Sequence, residues 1–170
     1  MRTSELQLYS LSYSQAKTYL LALAFVVGNV LLPQIAHLVP QGGFIFLPIY
    51  FFTLLGAYKY GWRVGLLTAI FSPLVNNMLF GMPMIEVLPA ILVKSTLLAL
   101  VAGFAATHFK KASLAILSLV VISYQVVGTL VEWAIVGDFM LAVQDFRIGI
   151  PGMLLQIFGV YFIIKYIANK

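Results

Sequence analysis

Two side chains of opposite charge sit in the middle of apolar runs: Lys94 in "ILVKSTLLAL" and Glu132 in "GTLVEWAIV". The amides Asn76 and Asn77 in "AIFSPLVNNMLFGMP", with Gln125 and Gln156, occupy similar surroundings, and His37 and Glu86 lie near the ends of such runs. An ammonium, a carboxylate and several amides are the chemistry of recognition: they hold a polar molecule by charge and directed hydrogen bonds. Two readings are open for Lys94 and Glu132. They form a buried ion pair joining two helices, or they receive the opposite charges of a small zwitterionic or amide-rich ligand.

The chemistry of bond breaking is missing. No G-x-x-x-x-G-K-[ST] loop is present to cradle a nucleotide, and neither H-E-x-x-H nor G-x-S-x-G occurs. With no cysteine the chain has no disulfide, thiol nucleophile or thiolate metal site. His37 and His108 fall on opposite sides of the topology derived below, which argues against a shared metal. The chain is therefore read as a non-enzyme that needs no cofactor and no metal.

The elements that must position these groups are membrane helices. Of 170 residues 62% are hydrophobic and 9% charged, and the mean hydropathy is +1.04, so lipid is the expected solvent. Apolar runs bounded by Pro, Gly and charge predict an all-α integral membrane protein of six transmembrane helices in a single bundle covering residues 1–170. The spans are 17–39, 43–59, 61–80, 84–107, 113–137 and 147–168. The polar N-terminus leads into an apolar run without an A-x-A cleavage pattern and reads as preceding a retained helix. No repeat, low-complexity tract or β-barrel alternation is evident.

Placing both termini in the cytoplasm puts Arg2, Lys17, Lys59, Arg63, Lys110, Lys111, Lys165 and Lys170 on the cytoplasmic side, as the positive-inside rule requires. The external loops then hold Glu86, Asp138, Asp145 and one basic residue, Arg147. The basic excess, a net charge of +5, is thereby a topology signal and not a nucleic-acid footprint. Lys94 fits neither side, being about ten residues, or ~15 Å, into the fourth span.

Depth and spacing sort the polar residues. His37, Asn76, Asn77, Glu86 and Glu132 fall in the outer part of their spans, while Gln125 and Gln156 fall nearer the middle. Ser118, Gln125, Thr129 and Glu132 share one face of span five, and Gly65, Thr68, Ser72 and Asn76 share one face of span three. Both stripes are expected to face the bundle interior and to meet there. The amides then line a cavity open to the outside, with Pro73 loosening the helix before them, or they act as interhelical glue worth roughly 0.6 to 2 kcal/mol per contact. Trp133 and Tyr124 are candidates to stack on a ring-shaped ligand or to pack the core. The small residues Ser95, Ala99, Gly103 and Thr107 form a packing ridge on span four, and Ala24 and Gly28 form one on span one that suits either packing or a partner subunit.

The stretch "GGFIFLPIYFFTLLGAYKYGWRVGLLTAIFSPLVNNMLFGMP", read with six spans and cytoplasmic termini, resembles the substrate-binding S component of energy-coupling factor (ECF) transporters. These are bacterial and archaeal importers of vitamins and other micronutrients. The resemblance implies a protein of the cytoplasmic membrane that captures a small polar, vitamin-like substrate from outside. It further implies docking, through the first helices, on a membrane T subunit that carries two ATPases. Residues Gln41, Gly42 and Gly43 of "VPQGGF" would form the gating loop over the cavity. The family's A-x-x-x-A docking motif has Ala24 with Gly28 as its nearest match. An alternative is an MreD-like six-helix membrane scaffold in cell-wall synthesis, which has less need of a polar outer cavity.

Overall fold

The computed structural model describes residues 8–168, so Arg2 and Lys170 of the charge assignment above lie outside the described residues. Runs of Leu, Ala, Ile and Val form long helices whose ends are set by Gly, Pro and short polar caps. These are α1 (Ala16–Ala36), α2 (Gly42–Phe46), a single 3-10 turn (Pro48–Tyr50), α3 (Phe51–Tyr60), α4 (Trp62–Phe80) and α5 (Leu88–Phe109). After them come α6 (Leu114–Val136), α7 (Phe139–Ala142), α8 (Gln144–Ile148) and α9 (Ile150–Ala168). No strand occurs among the described residues.

Five of these segments are long and apolar enough to cross a membrane: Ala16–Ala36, Gly42–Tyr60, Trp62–Phe80, Leu88–Phe109 and Leu114–Val136. Ile150–Tyr166 is a shorter apolar helix. The exterior is apolar as well, with Leu20, Leu23, Leu31, Phe104 and Phe162 all exposed, as befits a surface solvated by lipid.

The expected second span is broken. Leu47 takes the left-handed conformation (φ 45°, ψ 47°), and Pro48 opens a 3-10 turn before the helix resumes at Phe51. A proline disfavours helical geometry in the residue before it, which accounts for the break. By contrast α4 runs unbroken through Pro73. The fourth span begins at Leu88, not at 84, and Arg147 belongs to α8, ahead of the last helix.

Helix α5 is central and packs on α3, α4 and α6. Its small-residue ridge serves this packing. Ser95, Ala99 and Gly103 are buried, and a methyl group at Gly103 would collide with the Trp62 backbone and Cβ of α4. The described N-terminal residues lie across the α3–α4 turn, where the Tyr9 N–H donates to Lys59 O and the Leu11 N–H to Tyr60 O. That turn is made by Gly61 at φ +102°, a conformation side-chain-bearing residues avoid.

Candidate functional site

Three charged residues, Lys94, Glu132 and Asp145, converge at one end of the bundle. Lys94 lies six residues, about 9 Å, from the start of α5, so it is nearer the helix end than the expected 15 Å. Glu132 lies in the last two turns of α6. Beyond α6, Gly137 at φ +76° ends the helix, and the Asp138 carboxylate accepts the Met140 and Leu141 N–H groups at 2.8 and 3.2 Å. This cap starts α7, and α8 follows, packed beside α2 and α9. The fold-back carries Asp145 inward from a segment that reads as an external loop.

Lys94 Nζ donates to Asp145 Oδ2 at 2.7 Å and pairs with Glu132 Oε2 at 2.5 Å. The lysine side chain is 2% exposed, against 16% for Glu132 and 14% for Asp145. Its stem lies on Gly128, where a Cβ would sit 2.5 Å from Lys94 Cγ. One ammonium thus joins α5, α6 and α8. Of the two readings of Lys94 and Glu132, the direct ion pair is present, with Asp145 as an additional member.

Buried polar groups extend this site inward. Gln125 is fully buried one turn before Thr129 and two turns before Glu132 on α6, and neither polar atom of its amide has a hydrogen-bond partner among the described residues. Ser95 Oγ, Thr129 Oγ1 and Gln156 Nε2 are buried and equally unpartnered. Gln156 Oε1 accepts the Tyr124 hydroxyl at 3.0 Å, and the Tyr124 ring lies 5.5 Å from that of Tyr50. Native proteins leave few buried polar groups unpaired, and here several lie on α5, α6 and α9, two of which also carry Lys94 and Glu132.

Asn76 belongs to a different network. Its Nδ2 donates to Asn29 O at 2.9 Å and to Ser72 O at 3.0 Å. Asn29 in turn donates to Thr53 Oγ1 and Ser72 Oγ, both at 3.1 Å, and accepts the Phe52 N–H. This is glue between α1, α3 and α4. The polar stripes of α4 and α6 do face inward, but α4 has no extensive contact with α6, and α5 stands between them. The expected single cavity is therefore two sites that share no hydrogen bond among the described residues.

Several other candidates stand apart. Asn77 Nδ2 donates to Pro83 O at 2.7 Å and ties down the α4–α5 loop. Glu86 is exposed in the turn before α5, and His37 is exposed at the end of α1. Trp133 points outward, 45% exposed, against Phe139 at 5.3 Å. In the gating loop Gln41 is exposed and left-handed at φ 58°, Gly42 is buried against Ala36, and Gly43 packs beside His37. Ala24 is exposed, whereas a Cβ on Gly28 would lie 2.5 Å from the Phe52 ring, so Gly28 serves internal packing.

Asp145, Tyr50 and Asn29 were not singled out by sequence. Asn29 had a usable signal, an amide in the middle of an apolar run on the same helical face as Ala22, Val26 and Pro33.

Long apolar helices and a lipid-compatible exterior define a multi-pass α-helical membrane protein. No protein-family model, curated protein or solved structure matches this chain.

Proposed function

We propose that the chain is the substrate-binding S component of an ECF-type importer, with six spans and both termini on the cytoplasmic side of a bacterial or archaeal membrane. It captures a small polar, vitamin-like micronutrient from outside and docks on a T subunit bearing two ATPases. The observation that carries this reading is the cluster of buried Lys94 with half-buried Glu132 and Asp145, and the unpartnered Gln125, Thr129, Ser95 and Gln156 on the same helices and on α9. A protein whose polar residues served only to join helices would be expected to pair them, as the Asn29–Asn76 network does.

Position supports the reading too. The cluster lies close to one end of α5 and α6, where α8 reaches Lys94 through Asp145 and the 3-10 turn sets the Tyr50 ring against Tyr124 of α6. In the positive-inside orientation this end faces out. The exposed apolar face of α1, with Ala24 among Leu20, Leu23 and Val27, is the surface offered to the T subunit.

The test is to purify the full chain in mild detergent, denature it and identify released small molecules by mass spectrometry. A stoichiometric micronutrient is expected from wild type, with loss of most of it from Lys94→Ala and Glu132→Gln proteins that remain membrane-inserted. A protein that releases nothing and binds no vitamin would return the weight to a scaffold role.

A further inference from the structure

We propose that the ligand of this site is a small organic cation with a flat, amide-like edge: its positive group sits against Glu132 and Asp145, and its edge bonds to Gln125. The inference rests on the substrate-binding reading above and narrows it to a charge class.

The charges set the sign. Two carboxylates and one ammonium sum to −1, and Lys94 is already engaged by both carboxylates. The part of the cluster left accessible is the acidic part, since both carboxylates are several-fold more exposed than the sealed lysine. Each carboxylate uses one oxygen on Lys94, Oε2 of Glu132 and Oδ2 of Asp145; their other oxygens accept no hydrogen bond among the described residues. Arg147, two residues beyond Asp145, is exposed and forms no ion pair among the described residues. An anionic or zwitterionic ligand would have its own carboxylate facing two others, with the ammonium behind them. A cation brings the site to neutrality, which a low-dielectric surrounding favours strongly.

The amides set the rest. Gln125 offers one acceptor and a donor pair, all buried and unpartnered, and a lactam, carboxamide or aminopyrimidine edge satisfies both kinds at once. Gln156 Nε2 and Thr129 Oγ1 add further unpartnered groups on facing helices. The Tyr50 and Tyr124 rings, 5.5 Å apart and tilted by 50°, are too close to admit a ring between them. They form one aromatic wall, and such faces attract cations.

The measurement is the charge of the bound compound, followed by calorimetric titration of the full chain in detergent. Thiamine serves as cationic, nicotinamide as neutral and pantothenate as anionic probe. The expected result is a co-purified compound of net positive charge at pH 7, with affinity falling at least about tenfold in both Glu132→Gln and Asp145→Asn. A stoichiometric neutral or anionic compound would overturn the charge assignment while leaving the substrate-binding reading intact. So would a cation whose affinity is unchanged in both variants. Absence of any bound compound, with no heat from any of the three probes, would overturn the substrate-binding reading itself and this inference with it.

Discussion

Replacing Lys94 by methionine, a side chain of similar length without the charge, tests the charge cluster most directly. At the observed separations of 2.5 and 2.7 Å, each ion pair is worth roughly 6 kcal/mol of Coulomb attraction at an effective dielectric constant of about 20. Desolvation of the three ions, several kcal/mol apiece, offsets most of that gain. The two effects separate on mutation. Lys94→Met keeps two half-buried carboxylates facing each other and removes their cation, so it should cost about 3 kcal/mol. The triple variant Lys94→Met, Glu132→Gln, Asp145→Asn removes attraction and desolvation together and should lie within about 1–2 kcal/mol of wild type. Unfolding by SDS titration in mixed micelles, followed by the fluorescence of Trp62 and Trp133, measures both. A cost below about 1 kcal/mol for the single variant, or a triple variant no more stable than the single, would refute the three-membered cluster.

The amide network on the other side of α5 should behave as structure alone. Asn76→Leu loses two donated hydrogen bonds and leaves the Asn29 carbonyl without its partner, at a cost of about 1–2 kcal/mol in the same titration. Its ligand affinity should match wild type, and a tenfold loss would show that Asn76 reaches the ligand after all. On α1 the two members of the small-residue pair should part company. Ala24→Leu should weaken co-purification with a T subunit while ligand binding stays normal. Gly28→Leu should instead lower the yield of folded protein, because its new side chain meets the Phe52 ring. Equal effects of both on complex formation alone would place Gly28 on the docking surface.

How much of this was legible beforehand depended on whether the signal was local. Helix spacing placed Gln125, Thr129 and Glu132 on one inward face, and the cost of a charge in lipid demanded a partner for Lys94; both are properties of single helices. Asp145 was not legible in this way. It entered the reading as one more acidic residue in an eleven-residue loop, and only the Asp138 cap and the packing of α8 beside α2 and α9 bring it to Lys94. The same limit explains why two inward stripes were read as one cavity. Periodicity tells which face of a helix avoids lipid, but not which neighbour that face meets, and here α5 separates the two. The break at Leu47 was legible in principle from Pro48, and it has a consequence for the site. A continuous helix through Leu47 would present Tyr50 at a different rotation. The left-handed residue and the 3-10 turn set the ring against Tyr124, next to Gln125 on α6. The irregular backbone of span two and the folded-back loop after α6 are thus linked: each departs from simple helical geometry, and each delivers a side chain to the place where the ligand is expected to bind.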